Sequence, residues 1–115
     1  MYYAVIGDII SSKKLPDRFA VQEKLTAILG QFNEEYEEDL ASNFIITIGD
    51  EFQGLLRKGD HVLEIIDKIN ILMYPVQIRF GIGIGEIKTR INKLSIGADG
   101  PAYWHAREAI LKVHE

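Results

Sequence analysis

The 115-residue chain has no cysteine, and its apolar runs stay far below the roughly 20 residues that a membrane-spanning helix needs. Without cysteine the chain cannot form a disulfide, a catalytic thiol or a thiolate zinc site, so all three classes are excluded. Residues 1–5 also lack the basic region that precedes the apolar part of a secretory signal peptide. These absences predict a cytoplasmic protein that does not enter membranes.

Positive charge is also scarce, because 13 Lys and Arg residues stand against 17 Asp and Glu residues, for a formal charge of −4. Nucleic-acid phosphates are bound by basic surfaces, so we expect no direct nucleic-acid contact by this chain. What is present is typical of a globular protein, with 47% hydrophobic and 26% charged residues. The length predicts a single domain over residues 1–115.

The hydrophobic pattern predicts strands and helices in the order β-α-β-β-α-β, followed by one further helix. Continuous or alternating apolar residues indicate strands, and apolar residues three and four apart indicate helices. The strands are predicted at residues 2–10, 43–48, 51–57 and 76–85, and the helices at residues 17–39, 61–73 and 102–113. The first six elements follow the α+β ferredoxin-like plan, a four-stranded antiparallel sheet with two helices on one face.

Local features predict where the helices begin and end. Pro16 suits the first turn of the first helix, and Asp60 is a favourable N-cap for the second. The acidic run at residues 34–39 is typical of a solvated helix end, although negative charge there opposes the helix dipole. The three histidines lack metal-ligand spacing and are expected to be surface or packed residues: His61, His105 and His114.

The fourth predicted strand has two different faces. One face carries only apolar side chains, and the other carries Gln77 and Arg79 followed by glycines. The apolar set is Val76, Ile78, Phe80, Ile82 and Ile84, and the glycines are Gly81, Gly83 and Gly85. We expect the apolar face to pack under the helices. The glycine face is expected to allow close approach of a ligand or of a second subunit.

Three acidic residues are predicted to meet at one end of the sheet. Asp8 ends the first strand, and Asp50 and Glu51 lie at the hairpin between the second and third strands. The first and third strands are central in this plan, so carboxylates from both can form a hard-oxygen site for Mg²⁺ or Mn²⁺. Such an ion could hold a nucleoside triphosphate and stabilise charge during phosphoryl or nucleotidyl transfer.

Each of these features also has an ordinary structural interpretation. Asp50 after Gly49 is common hairpin-turn chemistry, and Asp8 could simply cap or turn the chain.

The backbone amides of Ser11 and Ser12 precede a helix, a position that favours bound phosphate. However, the Ser11 segment lacks the glycines of a P-loop, and the glycine strand does not match a dinucleotide fingerprint.

Four segments together resemble the SatD family of bacterial proteins. They are residues 7–13 (GDIISSK), 46–52 (ITIGDEF), 79–85 (RFGIGIG) and 97–109 (GADGPAYWHAREA). The resemblance covers nearly the whole chain. It implies that the chain corresponds to the N-terminal part of a longer protein.

The same segments resemble, more distantly, the palm of class III nucleotide cyclases and of GGDEF diguanylate cyclases. That resemblance implies metal ligation by Asp8, by the backbone carbonyl of Ile9 and by Asp50. It also implies that Arg107 lies near the arginine that stabilises the cyclase transition state, and that the glycine strand corresponds to a cyclase strand.

The sequence departs from the cyclase pattern at three positions. Ile46 replaces the lysine that reads the base, Tyr103 roughly replaces the asparagine that orients the ribose, and Ile48 replaces the first glycine of GGDEF. The resemblance therefore supports the fold and the two predicted metal-binding carboxylates, Asp8 and Asp50, more than it supports cyclase chemistry. The identity of the nucleotide does not carry over.

Three hypotheses about function follow. In the first, this domain binds a nucleotide and a divalent metal, with phosphate held near Ser11 and Ser12 and its charge offset by Lys13 or Arg107. In the second, it is a catalytically silent sensory or dimerising module whose glycine face contacts another subunit. In the third, it is the ligand sensor of a regulator whose C-terminal part binds nucleic acid.

Overall fold

A computed structural model describes residues 1–11, 15–47 and 50–86. The elements, in chain order, are β1 (Tyr2–Ile9), α1 (Arg18–Glu35), β2 (Leu40–Ile46), β3 (Glu51–Leu56), α2 (Val62–Met73) and β4 (Ile78–Gly85). The predicted order β-α-β-β-α-β is confirmed, and the helix predicted at residues 102–113 lies outside the described residues. Neither α1 nor α2, the helices of the described ranges, is long and apolar enough to cross a membrane.

The four strands form one antiparallel sheet in the order β2-β3-β1-β4. The central position of β1 and β3 is what the ferredoxin-like plan predicts. The register pairs Asp8 with Glu51 of β3 on one side and with Arg79 of β4 on the other. Residues near the end of β1 therefore have neighbours on two strands.

Both helices pack on the same face of the sheet, because each has an apolar stripe at helical spacing. Strand residues Val5, Ile9 and Phe52 join these stripes in a single hydrophobic core. The buried helix residues are Leu25, Ile28, Leu29 and Phe32 in α1 and Val62, Ile65, Ile69 and Met73 in α2.

Two aromatic rings in the core lie directly on glycine backbone. A Cβ atom added to Gly7 would stand closer than 3.0 Å to three atoms of the Phe52 ring, and one added to Gly54 would stand 2.6 Å from the Phe44 ring. Real Cβ atoms essentially never approach so closely. Gly7 and Gly54 are therefore part of the core packing, since any side chain there would displace a buried ring.

The side chain of Asn33 protects the outer strand of the sheet. Its Nδ2 donates to the carbonyl oxygen of Phe44 at 3.0 Å, and its Oδ1 accepts from the Phe44 backbone N–H at 2.7 Å. One amide side chain thus satisfies both backbone groups of a residue in β2, which is an edge strand. An edge strand with exposed backbone groups is a template for association with another chain, and this contact removes part of that template.

The structure corrects both predicted helix starts. The helix α1 begins at Arg18, one residue later than predicted, and Asp17 is its N-cap, because the Asp17 side chain accepts a hydrogen bond from the Ala20 N–H at 3.0 Å. Pro16 therefore precedes the helix and does not lie in its first turn. At the start of α2 the N-cap is His61, with no side-chain capping bond, so the predicted capping role of Asp60 is wrong.

The acidic run is not simply a solvated helix end. The helix α1 stops at Glu35, and β2 begins at Leu40 rather than at residue 43. Asp39 is buried between them at 5% relative exposure, because its carboxylate pairs with the side chains of His61 and Lys58. Residues 37 and 38 are exposed as expected.

The prediction for the two faces of β4 is only partly right. Ile78 is buried, and Phe80 and Ile82 are partly buried against the core, as expected. Ile84 is 47% exposed, because it is the penultimate residue of an edge strand and has fewer neighbours to cover it.

The glycine face of β4 is not open. Gly81 pairs with Ile6 of β1, Gly83 pairs with Ala4, and all four residues are buried. Leu55 of β3, the partner of Ala4 on its other side, is also buried. Both faces of the central strands are therefore shielded from solvent.

Candidate functional site

The backbone brings Asp8, Ile9 and Asp50 together at one end of the sheet. Asp8 is the penultimate residue of β1, and it lies opposite Glu51, the first residue of β3. The N–H of Ile9 donates to the carbonyl oxygen of Asp50 at 3.1 Å, which fixes the hairpin against the end of β1. The antiparallel pairing of β1 with β3 is the local reason that Asp8, Asp50 and Glu51 are neighbours.

The carboxylate of Asp8 forms an ion pair with an arginine of the adjacent strand. Its Oδ2 lies 3.0 Å from Nη2 of Arg79, and both side chains are partly buried, with exposed fractions of 23% and 22%. The two residues are register partners on the face of the sheet opposite the helices. The Nε of Arg79 is buried and has no hydrogen-bond partner in the described part of the chain. The guanidinium therefore retains an unsatisfied donor beside Asp8.

The carboxylate of Asp50 is held from the other side, by α1. Its Oδ1 accepts a hydrogen bond from Nε2 of Gln22 at 3.0 Å, and its Oδ2 lies 3.3 Å from Nη2 of Arg18. Arg18 and Gln22 are one helical turn apart, so they project from the same side of α1. The Asp50 side chain is only 14% exposed. Asp8 and Asp50 are thus adjacent in backbone, but their carboxylates have partners on opposite sides of the sheet.

Glu51 is engaged within its own hairpin. Its Oε2 accepts a hydrogen bond from the hydroxyl of Thr47 at 3.2 Å, and its backbone carbonyl accepts from the Thr47 N–H at 2.9 Å. Across the described ranges, no three His, Asp or Glu side chains are grouped so that they could hold a metal ion. As the side chains stand, the three acidic residues do not form a converged carboxylate cluster.

The remaining predicted site residues are placed as follows. Ser11 is exposed just beyond β1, with a positive φ of 55°. Gly81 and Gly83 are buried within β4. Ser12, Lys13 and Arg107 lie outside the described residues.

Sequence reasoning missed the roles of Arg18, Gln22 and Arg79. Arg79 is the one charged residue of β4, and the predicted topology places β4 beside β1, so its pairing with Asp8 could have been anticipated. Arg18 and Gln22 gave only a weak signal, two polar residues four apart on a helix.

An apolar groove adjoins Asp50. It has a volume of about 610 Å³ and lies between α1 and the end of β2. Phe19 and Ile46 are among its lining residues, and Phe19 is 70% exposed. Gln22 also lines the groove, so one side chain contacts both the groove and the Asp50 carboxylate. The groove is large enough for a planar heterocycle beside the acidic end of the sheet.

A second polar cluster lies at the other end of α1. The Nδ1 of His61 lies 2.5 Å from Oδ2 of the buried Asp39. This hydrogen bond to a carboxylate raises the pKa of His61 above its ordinary value. The sequence alone predicted only a surface or packed histidine, because Asp39 was expected to be solvated.

Tyr36 extends this second cluster. Its hydroxyl donates to Oε2 of Glu64 at 2.6 Å and accepts from Nζ of Lys68 at 2.8 Å. Burial, followed by the bond to Glu64, raises the pKa of Tyr36, and the same bond lowers the pKa of Glu64. The cluster joins the end of α1 to α2, and Tyr36, Asp39 and His61 also line a pocket of about 350 Å³ beside the acidic run.

Comparison with known proteins agrees with the fold and identifies the family. A family model described as the SatD family matches residues 2–115. The chain belongs to the SatD family. No curated protein sequence matches this SatD domain.

Solved structures that are similar to this chain include nucleotide cyclases. A bacterial light-regulated adenylyl cyclase has 15% identity and a TM-score of 0.60 over 97% of this chain and 70% of its own. The catalytic core of a rhodopsin-guanylyl cyclase, solved with ATPαS, has 18% identity and a TM-score of 0.58 over 93% and 69%. The adenylyl cyclase CyaB from P. aeruginosa has 14% identity and a TM-score of 0.54 over 96% and 71%. At these identities the likeness establishes a shared cyclase-palm fold.

Proposed function

We propose that this SatD domain binds a nucleoside triphosphate through Mg²⁺ or Mn²⁺, with Asp8, the carbonyl of Ile9 and Asp50 as the metal ligands. The observation that carries the proposal is the hydrogen bond from Ile9 to Asp50, which holds the two strand ends together. The cyclase-palm fold adds support, since one neighbour was solved with ATPαS and another with GTP.

The donor set fits such an ion chemically. Carboxylate and carbonyl oxygens are the ligands that Mg²⁺ and Mn²⁺ prefer. Each carboxylate is already partnered by a positive group, Arg79 at Asp8 and Arg18 at Asp50. These ion pairs already neutralise the two carboxylates, so a bound cation has to displace the arginines from them. The phosphate ligands of the metal can then accept the displaced guanidinium groups.

Two further features support a nucleotide as the ligand. The buried Nε of Arg79 lacks an acceptor within the described ranges, and a phosphate oxygen is a suitable one. The groove beside Asp50 offers Phe19 and Ile46 as apolar contacts for a base. Ile46 has no polar group, so this position cannot read the hydrogen-bonding edge of a base.

If the domain is catalytic, the reaction class that fits is phosphoryl or nucleotidyl transfer. The metal would supply charge stabilisation at the phosphates. In this proposal Ser11, Ser12 and Lys13 bind phosphate, and Arg107 offsets the charge that develops during transfer. Gly81 and Gly83 leave the face of β4 that carries Arg79 without side chains at those two positions.

A second candidate is a catalytically silent dimerising or regulatory module of a longer protein. The observation that favours it is the pairing of both carboxylates with arginines of the same chain. In a silent module these ion pairs are permanent and only stabilise the fold.

A melting experiment separates the two candidates. The protein, both as this chain and within the full natural sequence, is heated with ATP, GTP, CTP or UTP in the presence of Mg²⁺, Mn²⁺ or EDTA. The proposal predicts a rise in Tm that requires both a nucleotide and a metal, and ligand at about 100 times its Kd adds roughly 2.7 kcal/mol. Asp50→Asn should remove the metal-dependent rise and preserve the fold.

Glu38→Gln provides the matched control, because it removes one carboxylate from an exposed position distant from Asp50 in the chain. It should melt and respond to ligands as the unsubstituted protein does. No metal-dependent shift with any of the four nucleotides, in the full-length protein, would falsify nucleotide binding and favour the silent module.

A further inference from the structure

In the part of the chain that the structure describes, Gln22 and Arg18 hold the Asp50 carboxylate, and they differ in charge and exposure. Gln22 is neutral, partly buried and hydrogen-bonded to Oδ1, whereas Arg18 is charged, 47% exposed and paired with Oδ2. Each carboxylate oxygen therefore has a different kind of partner. Gln22 fixes the orientation of the carboxylate, while Arg18 neutralises it.

Arg18 can leave this position more easily than Gln22. The ion pair, with a separation of 3.3 Å, is exposed mainly on the arginine side, at 47% against 14% for Asp50, so water and salt compete for the guanidinium and the pair contributes only modestly to stability. Arg18 is also the first residue of α1, directly after the N-cap Asp17. Its side chain can reorient without disturbing the buried stripe of the helix.

A divalent cation and the Arg18 guanidinium cannot both neutralise Oδ2 at close range. Metal–oxygen distances are about 2.0–2.6 Å, so the two positive groups would lie within a few ångströms of each other. Their repulsion opposes metal binding as long as Arg18 stays in place. It disappears once Arg18 finds another anion.

We propose that Arg18 is a positioning residue that holds Asp50 while no ligand is present and transfers to the phosphates when a metal and a polyphosphate bind together. This inference rests on the proposed function. Guanidinium groups bind phosphate through two parallel hydrogen bonds, which makes arginine suited to the exchange. Arg18 thereby couples the two ligands: metal alone is disfavoured, and metal with polyphosphate is not.

The test measures Mn²⁺ binding to the whole chain, by calorimetry and by the EPR signal of free Mn²⁺, without and with inorganic triphosphate. Triphosphate is used because every nucleoside triphosphate shares its chemistry. Arg18→Ala should bind Mn²⁺ alone about two- to fivefold more tightly, the scale of an exposed ion pair. It should also bind the Mn²⁺–triphosphate complex more weakly than the unsubstituted protein. The increase in Mn²⁺ affinity that triphosphate causes should therefore be smaller in Arg18→Ala than in the unsubstituted protein.

Two variants define the interpretation. Arg18→Lys keeps the charge without the planar fork, so it should restore the weak binding of Mn²⁺ alone and recover triphosphate affinity only in part. Lys24→Ala removes the same charge from an exposed position of α1, on a different side of the helix from Arg18 and Gln22, and should behave as the unsubstituted protein does.

The outcomes separate this inference from the proposed function. If Arg18→Ala binds both ligands as the unsubstituted protein does, while Asp50→Asn loses them, the metal site stands and the role of Arg18 is overturned. If Lys24→Ala reproduces the effect of Arg18→Ala, the effect is general electrostatics and the inference also fails. If the unsubstituted protein does not bind Mn²⁺ in the presence of triphosphate, the proposed function itself is wrong.

Discussion

The ring of Phe52 lies on the backbone of Gly7, its register partner across β1 and β3. Phe52 is fully buried and makes an edge-to-face contact with Phe80, with ring centroids 5.8 Å apart. The ring of Phe52 therefore links β1, β3 and β4 at the end of the sheet that carries Asp8 and Asp50. Its position requires that residue 7 has no side chain.

We expect Gly7→Ala to destabilise the fold by about 1–3 kcal/mol, because the added methyl group overpacks a buried aromatic cluster. Chemical denaturation measures the change. Gly30→Ala is the matched control, since a Cβ there meets nothing within 4 Å and the residue lies in α1. It should stabilise the protein by about 0.5–1 kcal/mol. Equal effects of the two substitutions would contradict the packing argument.

Asn33 should matter for both stability and association. Asn33→Ala removes two hydrogen bonds to the backbone of Phe44 and leaves partly buried groups without those partners. The expected cost is about 1–3 kcal/mol. Because β2 is an edge strand, the variant should also self-associate more readily at high concentration.

Sedimentation velocity and denaturation together check this prediction. Asn33→Asp retains an acceptor for the Phe44 N–H but places a second acceptor against its carbonyl oxygen. It should therefore be destabilised as well. An Asn33→Ala variant as stable and as monodisperse as the unsubstituted protein would show that water replaces the amide without loss.

The pairing of His61 with Asp39 predicts a pH dependence of stability. The pKa of His61 is raised in the folded state above its ordinary 6.5 by the Asp39 carboxylate, so folding favours the protonated ring. The resulting stabilisation is fully present below the unfolded pKa, and it is lost as the pH rises through the folded pKa. The free energy of unfolding should therefore fall with pH in this window.

His61→Gln isolates this contribution, because it removes the titrating ring and leaves every other histidine in place. Unfolding free energies of both proteins are compared from pH 5 to pH 9. The difference between them should be largest at the acidic end and should shrink towards the alkaline end. A difference that is constant across the range would mean that the ring contributes by packing against Tyr36 rather than by charge.

The element order could be predicted because its signal is local. The apolar stripes of α1 and α2 and the apolar strands are visible in short windows of sequence, and the structure follows them. The end of α1 was misplaced because Asp39 is fixed by His61 and Lys58, residues of a later segment. A periodic pattern contains no information about such a partner.

The candidate site shows the same contrast between local signals, which could be predicted, and partners distant in sequence, which could not. The sequence indicated that Asp8 and Asp50 lie near each other, since the predicted topology places β1 beside the hairpin. It did not indicate their ion-pair partners, because Arg18 is 32 residues from Asp50 and Arg79 is 71 residues from Asp8. Side-chain direction at strand ends depends on such long-range contacts. The convergence of backbones was therefore easier to predict than the orientation of carboxylates.

The Asp8–Arg79 pair allows a test of whether Asp8 serves structure, ligand binding or both. Both side chains are about one-fifth exposed, so the pair is partly desolvated. Asp8→Asn leaves the guanidinium of Arg79 facing a neutral amide, and we expect a cost of about 1–2 kcal/mol, below that of a fully buried pair. Arg79→Met removes the buried Nε but leaves the Asp8 carboxylate without the guanidinium, so we expect a cost of similar size.

A double-mutant cycle with Asp8→Asn and Arg79→Met, followed by denaturation, measures the coupling between the two residues. The same four proteins are then titrated with Mn²⁺ and inorganic triphosphate. If Asp8 is a metal ligand, Arg79→Met should bind Mn²⁺ alone at least as tightly as the unsubstituted protein, since the carboxylate is no longer neutralised. Both proteins that carry Asp8→Asn should lose Mn²⁺ binding whether or not Arg79 is present. A purely structural Asp8 gives strong coupling in stability and no difference in Mn²⁺ binding among the four proteins, because the pair then stabilises the sheet end and no ligand depends on it.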